Sequence, residues 1–278
     1  RNNAQNQTFL DIRNNTAGSF HPSAGLLGDA PLFNGAMNLG VGNTVSDTFA
    51  VALGSNNDAL GDNSFAAMGG QADGLNSISI GSGSIAASAS SVSIGEGCTS
   101  VGTTCVNLGL NAVSTDNNCI TIGNTVANAS SNGVAVGNNV TLGAAANSTV
   151  VGSDSSSSSS AVSILGYDNT VAAASNGSGI IGNSNTITGA GSFILGSGNT
   201  VTGTKVTVMG KDLTIESDNV AAINCDNVVA TVPTGQDGTF VAFCTKSMLM
   251  NGRNWPGTST TSPQSQQVAF GVDLLPGN

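Results

Sequence analysis

Cysteine residues are the side chains of this sequence whose spacing first suggests chemistry. Cys105 and Cys119 both lie four places before a glycine of a repeating pattern. If the repeat stacks as strands ~4.8 Å apart, the two residues fall within the Cα separation that a disulfide allows. A ladder of small side chains explains the same spacing, so both interpretations stay open. Cys225 and Cys244 form a second candidate disulfide pair, and Cys98 is then the odd thiol.

A metal centre or another cofactor is not expected. The sequence has no Cys-x-x-Cys motif, and the single histidine, His21, has no nearby set of partner ligands. Structural zinc sites need four cysteine or histidine ligands at short, regular spacings. We therefore predict no cofactor.

Paired carboxylates are the other chemical candidate. Asp58 with Asp62, or Asp154 with Asp168, could be neighbours in a fold of stacked coils, and carboxylate pairs perform glycoside hydrolysis. The chain has only 4% aromatic residues for stacking on sugars, and residues 14–204 contain neither Lys nor Arg. The sequence therefore favours a protein that is not an enzyme.

These residues are positioned by a repeat of about fourteen residues. Gly42 and Gly210 are 168 residues apart across twelve glycine-to-glycine intervals, an average of 14. A fixed period of this kind marks an array whose units pack on their neighbours, and fourteen residues suit one turn of a β-solenoid with two short strands. The predicted corner glycines are Gly54, Gly69, Gly81, Gly95, Gly109, Gly123, Gly137, Gly152, Gly166, Gly182, Gly196 and Gly210.

A short apolar strand precedes nearly every one of these glycines. In Val92-Ser93-Ile94, the alternation predicts Val92 and Ile94 pointing inward and Ser93 pointing outward. After about residue 150 the middle position also becomes apolar, as in Ile164-Leu165. Either the strand phase shifts there, or a second surface is buried against another subunit or the C-terminal segment. The run from Ser155 to Ser160 keeps the spacing, so it is predicted to form part of an ordered coil.

Charge and hydropathy exclude several partners. The formal net charge is −10, and no cation lies between Arg13 and Lys205. Binding to nucleic acid or to an anionic membrane surface requires cations, so neither partner is expected. No apolar run approaches the ~18 residues of a membrane span, and no signal peptide is recognised.

The strand motif resembles that of a known family. Ser91-Val92-Ser93-Ile94-Gly95 and Gly133-Val134-Ala135-Val136-Gly137 are similar to the Ser-Val-Ala-Ile-Gly repeat of YadA-like head domains, which occur in trimeric autotransporter adhesins and have relatives in viral and phage fibres. The resemblance covers roughly residues 38–216 and is weaker in the later coils. It implies a left-handed β-roll that forms trimers. The heptad stalk and membrane-anchor strands expected of a whole autotransporter are not seen.

The expected fold is an all-β parallel β-solenoid of about thirteen coils. Residues 1–37 form a non-repetitive N-terminal segment, residues 38–216 the repeat body, and residues 217–278 a C-terminal cap or docking segment. Each coil buries only a few aliphatic side chains against the entropy of fourteen ordered residues, so a homo-oligomer is expected, and the resemblance makes it a homotrimer.

The expected function is that of an extracellular fibre or spike, on a cell or virion surface, that binds a host-surface glycan or protein. The alternative is a purely structural subunit of a filament or virion fibre. Ice binding is a third, weaker hypothesis, because it requires threonine at one position of successive coils, and threonine recurs only at the predicted corners of the later coils.

Overall fold

The chain folds into a parallel β-solenoid of about fourteen turns. The computed structural model describes residues 36–143, 146–224, 229–243, 248–250 and 253–255, and these contain strands and turns but no helix. Each turn contributes one strand to a 15-stranded sheet, sheet A, and one to a 14-stranded sheet, sheet B. The fold class predicted from the fourteen-residue period is thereby confirmed.

Sheet A contains the longer strands, of three to five residues, which pair in parallel in chain order. Its strands are β1 (Met37–Val41), β3 (Val51–Ser55), β5 (Phe65–Ala67), β7 (Ile78–Ile80), β9 (Val92–Glu96), β11 (Val106–Leu110), β13 (Ile120–Asn124), β15 (Val134–Asn138), β17 (Thr149–Ser153), β19 (Ser163–Tyr167), β21 (Gly179–Asn183), β23 (Phe193–Ser197), β25 (Thr207–Lys211), β27 (Ala221–Asn224) and β29 (Phe240–Phe243).

Sheet B is built from strands of only two or three residues. They are β2 (Thr44–Val45), β4 (Asp58–Ala59), β6 (Gln71–Ala72), β8 (Ile85–Ala86), β10 (Thr99–Ser100), β12 (Val113–Ser114), β14 (Ala127–Asn128), β16 (Thr141–Leu142), β18 (Ser156–Ser157), β20 (Thr170–Val171), β22 (Thr186–Ile187), β24 (Thr200–Val201), β26 (Leu213–Ile215) and β28 (Ala230–Val232). A separate antiparallel hairpin joins β30 (Met248–Met250) to β31 (Arg253–Trp255).

Both sheets continue beyond residue 216, the predicted end of the repeat body. Strand β27 pairs with β25, and β29 pairs with β27, so sheet A ends at Phe243. Residues 1–35 and 256–278 lie outside the described residues. The predicted N-terminal segment is therefore outside them except for its last two residues, and the predicted C-terminal segment is described only in part.

The side chains of the sheet A strands face the opposite way to the sequence prediction. Ser93 is fully buried, and the flanking Val92 and Ile94 lie on the outside of the solenoid, half-buried. The second residue of each sheet A strand faces inward in the same way, from Ala52 to Val208. Alternation defines two faces of a strand but does not decide which one is buried. In the first half of the solenoid the interior takes the small side chains, and the larger aliphatic ones point outward.

The change of pattern after residue 150 does not mark a phase shift. Register continues without interruption from Val150 to Ile164 and from Ile164 to Ile180. The second residue of each strand stays inside, and it is Val or Ile in these turns instead of Ala or Ser. The residue after it, such as Leu165, stays outside. Of the two alternatives left open by the sequence, the phase shift is therefore wrong.

The polarity of the interior side chains changes along the axis of the solenoid. One apolar cluster lies in the first turns, from Ala36 to Ala72, and a larger one runs from Val126 to Val232. The turns between them are filled by small polar side chains and thiols, including Ser79, Ser93 and Cys105. Ser79 Oγ donates to Ser84 O at 2.8 Å, and this pairing satisfies polar groups that would otherwise be costly to bury.

The serine run is ordered, as predicted. Strand β18 is Ser156–Ser157, and Ser158 N donates to Val171 O of the next turn at 3.0 Å. Ser155, Ser157 and Ser159 point inward and are buried. A run that composition alone would class as a linker is part of one ordered turn of the solenoid.

Candidate functional site

The main surface feature is an unbroken apolar column on the outside of sheet A. It is formed by the third residue of successive strands, and strand pairing places these residues side by side in register. The apolar column comprises Leu39, Leu53, Ala67, Ile80, Ile94, Leu108, Ile122, Val136, Val151, Leu165, Ile181, Leu195, Met209, Ile223 and Ala242.

The side chains of the apolar column are accessible to solvent. Leu165 is 54% exposed and Leu108 is 44% exposed, and every member except Ala67 is at least partly exposed. None of the fifteen residues is charged or polar. The column is therefore not the solvated face that an isolated sheet normally presents to water.

A second apolar row widens this surface in the first half of the solenoid. The first residue of each strand is Met37, Val51, Phe65, Ile78, Val92, Val106, Ile120 and Val134 in turn, and it also faces outward. At ~4.8 Å per turn the column is ~67 Å long, and rows two residues apart lie ~7 Å from each other. The surface between them reaches the several hundred Å² that mark interaction sites on proteins.

The glycines of the repeat shape this face. Ten of the twelve lie inside the sheet A strands, directly after the outward residue, rather than at the corners as predicted, and Gly69 and Gly81 follow the ends of β5 and β7. Gly109 has φ +139°, and a Cβ on it would lie 1.9 Å from Gly123 O in the next turn. Positive φ and close backbone approach both favour glycine, and both apply at this position.

Several Asp and Asn side chains at the turns after sheet B bind the neighbouring backbone. Asp62 Oδ1 accepts a hydrogen bond from Thr48 N at 3.0 Å, and Asp218 Oδ1 accepts one from Thr204 N at 2.7 Å. Hydrogen bonds from Thr204 and the nearby Lys205 charge hold the pKa of Asp218 below its usual value. These carboxylates cap the corners of the solenoid.

One of the candidate catalytic pairs, Asp154 with Asp168, takes a structural role at the corners. Asp154 and Asp168 occupy equivalent corner positions of adjacent turns, as predicted, both with positive φ. Asp154 Oδ1 accepts from Asn139 Nδ2 at 2.8 Å, and Asp168 Oδ2 accepts from Ser184 Oγ at 3.1 Å. Asp58 lies in strand β4 and Asp62 follows that strand, with no hydrogen bond between them. Amide and hydroxyl groups of the neighbouring turns therefore bind Asp154 and Asp168.

Three thiols lie in the polar stretch of the interior. Cys98, Cys105 and Cys119 are free and fully buried. Cys105 and Cys119 stack on adjacent turns, and both Sγ atoms donate to Asp116 O at 2.9 Å. Burial, followed by the neighbouring Cys105, raises the pKa of Cys119 to about 12. The stacking predicted from the repeat is present as a thiol pair, and an oxidised, bridged form stays a prediction.

The remaining predicted site residues lie outside the described part of the chain. These are Cys225, Cys244 and His21. Among the described residues, no group of three or more His, Cys, Asp or Glu is arranged to hold a metal ion. The same part of the chain has no helix with the length and hydropathy to span a membrane.

Comparison with known proteins identifies no relative. No protein-family model matches the sequence, and no curated protein matches it either. The structure is compatible with a β-roll fibre at the level of its architecture.

Proposed function

We propose that the protein is a rigid, extracellular fibre or spike component that assembles with copies of itself through the outer face of sheet A. The single observation that carries this proposal is the apolar column, fifteen in-register residues long. A face of this length exposed to water is costly, and burying it between chains removes that cost.

The partner that fits the column best is a second copy of this chain. Parallel copies repeat at the same interval, so every turn of one chain meets an equivalent turn of the other. A partner without the fourteen-residue period would match only a few turns. A stable interface buries about 800 Å² on each partner, which a column ~67 Å long supplies when side chains from neighbouring rows join it.

A closed assembly of three copies buries the apolar column of every chain. Cyclic symmetry buries the same surface on every subunit and leaves no copy unpaired. The resemblance of the strand motif to YadA-like heads supports three copies and a left-handed roll. In such an assembly sheet B and both rows of corners stay exposed, and these are the surfaces available to a host glycan or protein.

Adhesion is tested by binding. The full-length chain is applied to arrays of host-surface glycans and to extracellular-matrix proteins, and bound protein is measured. Saturable binding to one class supports the adhesin. If no surface binds and the chain is recovered only within a larger particle or filament, the alternative of a purely structural subunit is correct.

A further inference from the structure

Threonine side chains form an ordered grid on the outside of sheet B. Pairing aligns Thr170 with Thr186, Thr186 with Thr200, and Thr200 with Thr214. The sequence placed these threonines at corners, and the structure places them in strands, so they do share one flat surface. Threonine is uninterrupted at this position only from Thr170 onward. The earlier turns have a mixed set of residues there: Thr44, Asp58, Gln71, Ile85, Thr99, Val113, Ala127, Thr141 and Ser156.

A second row lies two residues further along the strand direction. The threonine array is defined here as both rows together: Thr170, Thr186, Thr188, Thr200, Thr202 and Thr214. Thr188 Oγ1 donates to Val201 O at 3.4 Å, and Thr202 Oγ1 donates to Ile215 O at 3.3 Å. Because the same bond to the next turn recurs, the two side chains are held in the same orientation.

The first row of threonines offers hydroxyl groups to a partner. Among the described residues, the hydroxyl groups of Thr170, Thr186, Thr200 and Thr214 have no hydrogen-bond partner. The side chains are exposed or half-buried on the outer surface. Each therefore presents one free hydroxyl and one methyl group at a fixed position.

The backbone under the array is rigid. Val171, Ile187, Val201 and Ile215 lie directly behind it and are almost completely buried in the larger apolar cluster. Rows of side chains repeat at ~4.8 Å between turns and ~6.7 Å along the strand. The array is thus a two-dimensional lattice whose spacing is set by backbone hydrogen bonds.

The composition of the surface restricts its partner. The array contains no charged residue, and Glu216 bounds its second row at one end. It contains no aromatic side chain on which a sugar ring could stack, and its flat shape offers no concave pocket for a small ligand. The surface matches an uncharged partner that is itself flat, periodic and rich in hydrogen-bonding groups.

We propose that the threonine array binds the surface of crystalline ice. Ice presents water molecules as donors and acceptors at fixed, repeated positions, and hydroxyls held in a lattice take their places without losing conformational entropy on binding. Ordered water between protein groups is nearly as favourable as direct hydrogen bonding. Sheet B faces away from sheet A, so ice binding is independent of the assembly proposed above.

The test uses the full-length chain with a matched pair of variants. Thr200→Lys places a charge in the centre of the array. Thr99→Lys places the same charge at the equivalent strand position of an earlier turn, outside the array. The readouts are thermal hysteresis and the fraction of protein captured by a slowly growing ice shell, with melting temperature as the check on folding.

Wild type and Thr99→Lys are expected to enter the ice and to show thermal hysteresis, while Thr200→Lys falls to the level of an unrelated soluble protein. The proposal is overturned if wild type is excluded from ice, or if folded Thr200→Lys is captured as efficiently as wild type. If Thr200→Lys does not fold, Thr202→Tyr at the more exposed second row makes the same comparison, with the same two outcomes.

Discussion

Gly109 and Gly123 stack in adjacent strands of sheet A so closely that a Cβ on Gly109 would lie 1.9 Å from the carbonyl oxygen of Gly123. The same relationship recurs along much of the sheet, for example between Gly123 and Gly137 at 1.7 Å. The repeating glycine is therefore required by the stacking of turns, in addition to its own positive φ.

Replacing this glycine should cost far more than replacing a glycine with positive φ alone. We expect Gly109→Ala to lower the free energy of unfolding by about 3 kcal/mol or more, because strain in φ adds to a steric clash with the next turn. Urea unfolding of the full-length chain measures the change.

The control is Gly83→Ala. Gly83 has φ +65°, and a Cβ there would meet no atom within 4 Å, so the expected loss is only about 1–2 kcal/mol. Equal losses in the two variants would show that the clash between stacked glycines is relieved easily and does not constrain the fold.

The period of the sequence predicts the solenoid, but it does not reveal which strand face is buried. Alternation in Val92-Ser93-Ile94 defines two faces, and the usual preference for burying aliphatic residues assigned Ile94 to the interior. Alternation alone does not decide between the two faces, and Ser93 is the residue that is buried. Burial of aliphatic side chains between subunits is a property of an assembly, which alternation within one chain does not encode.

The threonine rows were missed for a related reason. The sequence predicts corners at the threonines of these rows that follow an asparagine, as in Asn169-Thr170-Val171. Asn169 is instead buried inside the solenoid, where Asn169 Oδ1 accepts from Asn185 Nδ2 at 3.0 Å. The pattern Thr-x-Thr at Thr186–Thr188 and Thr200–Thr202, repeated after fourteen residues, is the signal that would have located the strand.

The serine run gives a prediction about backbone hydrogen bonding between turns. Ser158→Pro removes the bond from Ser158 N to Val171 O, so we expect it to lower the free energy of unfolding by about 1–3 kcal/mol. Ser158→Ala keeps the backbone donor and should have little effect, since the side chain is exposed. Thermal melting of both variants measures the difference.

Deletion of Ser159 and Ser160 tests the same register argument independently. It shortens the interval from Gly152 to Gly166 and removes the bond from Ser159 Oγ to Ala172 O. The melting temperature should fall, whereas in a flexible linker the length has little effect. An unchanged melting temperature would contradict the assignment of the run to an ordered turn.

Cys119 gives the solenoid a distinct dependence on alkaline pH. Its pKa is raised to about 12 from an ordinary value of 9.0, chiefly by burial and then by Cys105. Between these values the unfolded chain loses the thiol proton and the folded chain keeps it, so stability falls as pH rises. Below pH 9 this contribution is fully present. Urea unfolding measured from pH 8 to pH 11 follows the loss.

The matched variant is Cys119→Ala, which removes the titrating group from the interior. Its stability should decline less steeply above pH 9 than that of wild type, because the other titrating groups are common to both. Parallel pH profiles for the two proteins would mean that Cys119 ionises in the folded state as readily as in the unfolded state.

Self-association through sheet A is also testable by substitution on the apolar column. We expect Leu108→Asp to dissociate the assembly, because a carboxylate in an apolar interface is desolvated without a partner. Val113→Asp makes a comparable apolar-to-acid change on sheet B and should leave the assembly intact. Sedimentation velocity distinguishes the two, and dissociation by both variants would argue against an interface specific to sheet A.

The most direct test of the account is the mass of the purified chain in solution. Size-exclusion chromatography with light scattering should give about three times the chain mass of 27.2 kDa. The protein should keep that mass on dilution, since none of the described residues covers the apolar column. A stable monomer of 27.2 kDa with a cooperative thermal transition would contradict the proposal that sheet A is the interface between copies.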